Sequence, residues 1–566
     1  MSTNPAPAFP DFAYERPDLE RAGEQFRAVL DELKVATALN DAIAAMEQID
    51  SIRSAIASAQ NISYIRHSID TRDEFYKAEK AWFDQHGPAT EAWRMDYYRA
   101  LIDHPLRTAL AGHFGEQLFR TAEQSLKTFQ PAIIEDLQAE NKAYSEYMQL
   151  KGGASIELDG ETYNLSSIIP HEQVADRAAR RRASRAKWDW MAGHQADFER
   201  IYDELVALRA GMATKLHYDD YVGLGYDLRG RADYGPEQVA NFRAQVRKHI
   251  VPLATRLARE QADRIGVDRL HYYDVNFRFP DGNPTPQGDQ ADTVAAARRL
   301  YDGLSSETGS FFRFLEDRQL MDLASTDGKA TGGYCTYVPD YGTPYIFANF
   351  NGTSHDVDVL THEFGHAFQV YNSRHLKPLE YLWPTYDAAE IHSMSMEFFA
   401  YPGVEDFFGP DAQKYFYNHL AGAIRFLPYG CAVDEFQHLV YEHPEWTPAE
   451  RNAAWKDLEA TYLPHLDYSD HDYLKQGTYW QSQLHIFGMP FYYIDYCLAQ
   501  ICALQFWLRD EEDHAAAWRD YVRLCQTGGS RSFLELVDLA GLADPFTDGI
   551  MEKIARKVTD RLAELA

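Results

Sequence analysis

Residues His362-Glu363-Phe364-Gly365-His366 place two histidines four positions apart, with a glutamate directly after the first. On a helix, positions i and i+4 share one face about one turn apart, so both imidazoles reach a single metal ion. Glu363 is rotated by about 100° around the axis, beside that ion rather than onto it. Two ligands and a general base on one turn are the requirement for zinc-assisted hydrolysis. A chain carrying this stretch has to keep it helical and has to bring a third ligand to it from elsewhere.

Three fixed residues also recur by chance, and two surface histidines on a helix are the plain alternative. The flanking sequence argues for the metal. Val357, Leu360, Phe364, Phe368 and Tyr371 recur at intervals of three and four, which predicts a helix with a buried face. Thr353 and Ser354 stand where a cap is needed. Upstream, Pro344 to Phe350 is a β-branched and aromatic run closed by Asn351-Gly352, which predicts a strand and a turn. Such a strand can offer its edge to an extended peptide, and an ordinary buried strand fits the same pattern equally well.

A catalytic zinc takes three protein ligands and keeps a fourth position open. The next acidic cluster, Tyr386 to Phe399, predicts a second helix with Glu390 and Glu397. These two lie seven apart, about two turns or ~10 Å, so one ion cannot take both. One should bind metal and the other should hold a ligand in place. Spacing alone does not choose between them. His392 faces away from Glu390 by about 200° and is the weaker candidate.

The zinc motif with Ala389-Glu390-Ile391 and Glu397 resembles the oligoendopeptidase F branch of the thimet-oligopeptidase-type zinc peptidases. The likeness extends to Gly332-Gly-Tyr-Cys-Thr336, to His485 through Tyr496, to Gly528-Gly-Ser530 and to Ala540-Gly541-Leu542. It implies that Glu390 is the third ligand and that Glu397 and Asp358 support ligands. It further implies that His485 and a tyrosine stabilise the oxyanion. Of Tyr492, Tyr493 and Tyr496, spacing favours Tyr493 and Tyr496. Many relatives carry histidine where Gln369 stands, at a position that does not ligate the metal. The resemblance also implies two helical lobes around a deep channel, which admits short unfolded peptides and excludes folded proteins.

The periodicities predict a mainly α chain with a small sheet beside the zinc helix. An N-terminal helical region, residues 1–200, includes a hairpin at 156–163 turned by Asp159-Gly160. Pro88 and Pro105 are expected to punctuate its helices. Residues 201–566 form the catalytic region, interrupted by a Pro/Gly-rich loop from Asn276 to Asp292. A net charge of −31 argues against nucleic acid and anionic membrane as partners. The basic run Arg177 to Lys187 is expected to be a solvated or salt-bridged helix face. No apolar run approaches the ~20 residues of a membrane span, and Met1 to Tyr14 lacks a signal pattern. Five cysteines without metal spacing suit free thiols in the cytoplasm.

The expectation is a cytoplasmic, zinc-dependent metalloendopeptidase acting on short peptides. Two rivals are a zinc aminopeptidase or carboxypeptidase-like hydrolase, and an inactive peptide-binding scaffold. The first needs a group to hold a peptide terminus, and no motif for a free amine is present. The second is disfavoured because every chemical position is filled. Cleavage-site preference and oligomeric state are not written in the sequence.

Overall fold

The computed structural model describes residues 7–565; the first six residues of the stretch read for a signal, Met1 to Tyr14, lie outside them. Helices dominate, as expected. Near the N-terminus, Leu19–Val35, Leu39–Ile69 and Glu74–Ile102 pack side by side. Asp18 and Asp73 accept the first free N–H groups of two of them. The break expected at position 88 is not made, since one helix runs from Glu74 to Ile102. The break at Pro105 is made, and Arg107–Phe114 and Gln117–Thr128 follow it.

These helices enclose their own core of Phe26, Leu33, Ile49, Tyr98, Leu118 and Phe119, joined by Tyr381 from far along the chain. The Tyr381 hydroxyl donates to Phe114 O at 2.8 Å and accepts Leu118 N–H at 3.0 Å. The larger core runs from Phe9 to Leu562 and takes side chains from both sides of position 200, among them Tyr147, Phe198 and Phe487.

The hairpin is present as β1 (Ile156–Leu158) and β2 (Glu161–Tyr163), with Asp159 and Gly160 both at positive φ in its turn. The arginine-rich helix Arg177–Gly193 spends its charge on ion pairs. Arg177 and Arg180 reach the buried Asp274 at 2.7 and 2.9 Å, and Lys187 reaches Glu172 at 2.9 Å.

A three-stranded sheet stands beside the zinc-motif helix. Its strands are β3 (Met321–Ala324), β4 (Tyr334–Val338) and β5 (Thr343–Phe350), in the order β3-β5-β4. β4 pairs antiparallel with β5, Tyr334 opposite Phe347 and Thr336 opposite Tyr345. β3 pairs parallel with β5 and had no clear signal, because four residues are too few to show a period. The expected edge strand is therefore corrected. The run from Pro344 to Phe350 is central, with both edges taken, and β4 is the edge on the cavity side.

Four helices complete the frame: α1 (His355–Ser373), α2 (Tyr386–Phe399), α3 (Ala412–Glu442) and α4 (Tyr493–Thr527). α1 buries Val357, Leu360, Phe364 and Phe368, the face the periodicity marked. Its cap differs from expectation. Ser354 holds the cap position without a side-chain bond. Asp356 reaches back instead and accepts the N–H groups of Asn351 and Gly352 at 2.9 and 2.7 Å. α1 and α2 approach closely because Gly365 has no side chain. A Cβ there would stand 2.7 Å from both His392 O and Ser393 Cα.

Candidate metal centre

α1 carries His362 and His366 one turn apart, and α2 delivers Glu390 to them across the Gly365 contact. His362 Nε2 and His366 Nε2 lie 3.2 and 3.3 Å from Glu390 Oε2. All three donor atoms lie within 4.8 Å of one another. Donors held ~2.0–2.1 Å from a tetrahedral zinc stand about 3.3 Å apart, so this set has the size and chemistry for that ion.

Glu390 is 3% exposed, and its other oxygen, Oε1, accepts the Tyr492 hydroxyl. Ser393 Oγ donates to Oε2 at 2.8 Å. Burial pushes the Glu390 carboxyl up, but the two imidazoles outweigh it and hold it well below the ordinary range. The result is a carboxylate, the form a metal takes.

Glu397 does not reach the metal position. Its Oε1 lies 2.7 Å from His362 Nδ1, and its Oε2 lies 2.8 Å from His419 Nε2. His419 Nδ1 in turn meets the Tyr401 hydroxyl at 2.9 Å. Burial raises Glu397, yet the bonds from His362 and His419 bring it down to about 2. An ionised Glu397 fixes the His362 tautomer with Nε2 free for a metal. His419 sits on α3, and no sequence spacing pointed to it.

Glu363 is 7% exposed and stands beside the start of β4. A Cβ at Gly333 would lie 3.6 Å from its Oε1. Burial raises its pKa against the lowering effect of His362 and His366, the direction that suits a general base. Cys335 lies nearby, and burial followed by Glu363 pushes its thiol well up, so it is an inert neighbour.

The remaining expected residues divide. Tyr496 lines the larger cavity, as does Tyr492. Tyr493 is not among the lining residues; its ring packs on Phe426 and Tyr429 at 5.6 and 5.8 Å. Positions 492 and 496 are four apart and face one way, whereas 493 is turned by about 100°. Of the two tyrosines that spacing favoured, Tyr496 lines the cavity and Tyr493 does not. Burial raises the phenols of Tyr492 and Tyr496 well above their ordinary value, so both remain O–H donors.

His485 stands beside these rings, 5.6 Å from Tyr492 and 5.7 Å from Tyr496. Gln483 lies 2.8 Å from its Nδ1. Burial lowers His485 to about 4, so it is neutral, with Nε2–H as its donor. Asp358 turns away from the metal ligands: its Oδ1 accepts the Tyr415 hydroxyl at 2.6 Å, and its other oxygen lies 3.9 Å from His355. Gln369 donates to Ser373 Oγ and Leu382 O at 3.0 and 3.1 Å, away from the donor set.

Two cavities meet at Gly333, His362 and Glu363. The larger, about 720 Å³, runs past Thr336, Trp383, Tyr492 and Tyr496 to Arg53 and Tyr98 on the N-terminal helices. The smaller, about 420 Å³, lies toward Glu397 and His419. Of the three donors, His362 lines both cavities, and His366 and Glu390 line the larger one.

Comparison with known proteins agrees with this geometry. Residues 9–129 match the Peptidase M3 N-terminal domain, and residues 171–283 and 313–556 match Peptidase family M3. The structure of Pz peptidase A with an inhibitor is 49% identical, with a TM-score of 0.96, over 98% of this chain and 99% of that one. A structure described as an oligoendopeptidase F from Bacillus anthracis str. Ames is 47% identical, with a TM-score of 0.92, over 99% of each chain. Oligopeptidase PepF of Bacillus subtilis (strain 168) is 23% identical over 341 residues, 58% of this chain and about half (49%) of that protein's length. With both parts of the family pattern matched around a His-His-Glu donor set, the chain belongs to peptidase family M3.

Proposed function

We propose that this chain is a zinc-dependent oligoendopeptidase that hydrolyses internal bonds of short unfolded peptides. The observation that carries the reading is the convergence of His362, His366 and Glu390 beside Glu363, with His362 and Glu363 lining both cavities. His362, His366 and Glu390 would hold Zn²⁺. When bound, the ion supplies polarisation of the scissile carbonyl and a lower pKa for water at the site.

The other steps belong to side chains. An extended peptide lies along β4 at Gly333 to Thr336, where backbone pairing positions it irrespective of sequence. Glu363 takes the proton of the attacking water and delivers it to the leaving nitrogen. Tyr496 is the O–H donor facing the cavity for the oxyanion, while the Tyr492 hydroxyl is given to Glu390 Oε1 and steadies that ligand. His485, held by Gln483, positions those rings from behind. Glu397, backed by His419, keeps His362 in its ligating tautomer. Asp358 acts at one remove, through Tyr415 and His355.

Helical walls set the size limit, since only a flexible chain can thread both cavities. The cytoplasmic setting belongs to the same proposal and rests on five unbridged cysteines. Among the described residues no helix is long and apolar enough to cross a membrane.

The test is digestion of a mixed-length peptide library, N-terminally blocked and free, with and without a chelator. Cleavage inside blocked peptides that stops with chelator and returns with zinc is the expected result. Release of single N-terminal residues only, or cleavage indifferent to chelator, overturns the reading.

A further inference from the structure

The smaller cavity holds a guanidinium that makes no salt bridge among the described residues. Arg278 lines it together with His362, Glu363, Asn418 and Gly422. Of its side-chain N–H groups, only those on Nη1 are engaged among the described residues, donating to Asn418 Oδ1. Gly422 leaves the neighbouring wall bare: a Cβ there would lie 4.0 Å from Arg278 Nη1.

Two more arginines stand behind Arg278. Arg264 donates to Arg278 O at 3.3 Å and lies over the rings of Tyr417 and Phe279 at 4.5 and 4.9 Å. Arg425 donates to Leu257 O at 3.1 Å, and its buried Nε has no partner. Burial and the neighbouring Arg278 both lower Arg425. The closest acid acting on Arg278 is Asp358, which is already engaged by Tyr415 and His355. By contrast, Arg53 in the larger cavity is paired with Asp50 and Glu380 at 3.1 and 2.8 Å.

Asp358, Glu363 and Glu397 line the same cavity, and Glu260 acts on Arg425, yet Arg278 and Arg425 make no salt bridge among the described residues. A guanidinium taken from water without a counter-charge is costly. A planar fork of N–H groups matches a carboxylate bidentately. Direction along the channel selects which carboxylate. β4 runs from Tyr334 beside the metal position toward Val338, and its first residues line the larger cavity. We take the peptide to pair antiparallel with β4, as β5 does on its other edge, so that it runs the other way. Its C-terminal half therefore passes Gly333 and Glu363 into the smaller cavity.

We propose that Arg278 is a specificity-determining residue that docks a carboxylate from the C-terminal half of the peptide, either the free α-carboxylate or an acidic side chain. This rests on the peptidase reading above. Docking at Arg278 sets how far the cleaved bond stands from the anchored group.

The experiment compares kcat/KM for one quenched fluorogenic peptide as C-terminal acid and as C-terminal amide. A second arm uses amidated peptides that differ by Glu or Gln at single positions after the cleaved bond. The proteins are the zinc-loaded wild type, Arg278→Met, Asn418→Asp and Arg229→Met. Asn418→Asp leaves Arg278 in place and gives it an internal counter-ion, so it tests the charge without removing the side chain. Arg229→Met probes the larger cavity.

We expect the wild type to favour the carboxylate form by about tenfold or more, expressed in KM, as a charged hydrogen-bonded pair does. The preference should vanish in Arg278→Met and Asn418→Asp and survive in Arg229→Met. The acid–amide arm reports the α-carboxylate, and the Glu–Gln arm reports a side chain. Absence of preference in both arms overturns the proposal, as does a preference that survives Arg278→Met or disappears only in Arg229→Met. Calorimetry of the same acid and amide peptides on Glu363→Gln protein reads the anchor without turnover. If the wild type cleaves nothing, the peptidase reading fails by itself, and equal binding of acid and amide there overturns the anchor as well.

Discussion

Glu397 Oε1 stands 2.7 Å from His362 Nδ1, and the opposite nitrogen of that imidazole points at Glu390. One carboxylate thus orients the ring that a second carboxylate joins at the metal position. Removing either has a different consequence. Glu390→Ala deletes a ligand and should abolish stoichiometric zinc. Glu397→Ala and His419→Ala should each weaken zinc by about 10–100-fold while leaving it bindable. Metal analysis after dialysis against graded zinc buffers reads both, and equal loss in Glu390→Ala and Glu397→Ala would refute the assignment.

Glu363→Gln keeps the shape of the site and removes the base. Zinc content should match the wild type, and turnover should fall by about 10²–10⁴-fold or more. Residual kcat near the wild-type value in a zinc-replete preparation would take Glu363 out of the proton path.

The tyrosine pair separates by position on α4 and its cap. Tyr496→Phe should lower kcat by about 10²–10³-fold with little change in KM, the signature of a donor used at the oxyanion. Tyr492→Phe also frees Glu390 Oε1, so a change in zinc affinity should accompany its kcat loss. Tyr493→Phe should stay within about twofold of the wild type, the result expected for a ring packed outside the cavity. A large kcat loss confined to Tyr493→Phe would reverse this order.

Gly365 lies inside the zinc motif but acts through packing. Gly365→Ala would press a methyl against His392 O and Ser393 Cα, both backbone atoms that cannot step aside. We expect a destabilisation of about 1–3 kcal/mol and weaker zinc binding, because α2 carries Glu390. A lower thermal midpoint with loss of zinc is the expected pair of readings. An unchanged midpoint would show that the two helices can separate at no cost.

Stability should depend on pH through Glu459. Burial raises this carboxyl to about 7, so the folded chain holds a proton that the unfolded chain releases near 4.5. Its contribution is therefore full below about 4.5 and is lost as pH rises through 7. Glu459→Gln cannot release that proton. The urea midpoint of the wild type should fall relative to Glu459→Gln between pH 5 and pH 8, and a constant difference across that range would contradict the raised pKa.

Much of the local structure that carries the site is legible in the sequence, because its information is local. The i, i+4 histidines, the intervening base, the buried face of α1 and the bounds of α2 all follow from periodicities within a few turns. The Asp159-Gly160 hairpin is equally local, written in two turn residues. The basic run Arg177 to Lys187 reads as a solvated or salt-bridged helix face, and its charges find acids.

Tertiary structure alone decided the rest. Whether Glu390 or Glu397 meets both imidazoles depends on how α2 crosses α1 at Gly365, not on spacing along α2. His419 joins Glu397 from a separate helix, and no pattern in α3 marks it. β5 became central because β3, four residues long, pairs with it from outside the motif. Tyr492 and Tyr496 line the cavity while Tyr493 packs on Phe426 and Tyr429, because the packing of α4 on α3 chose which face looks into it. Arg278 makes no salt bridge because Asp358, the acid that acts on it, is engaged by Tyr415 and His355. Periodicity specifies which face of an element is apolar, and only the packing of distant elements specifies what that face and its neighbours touch.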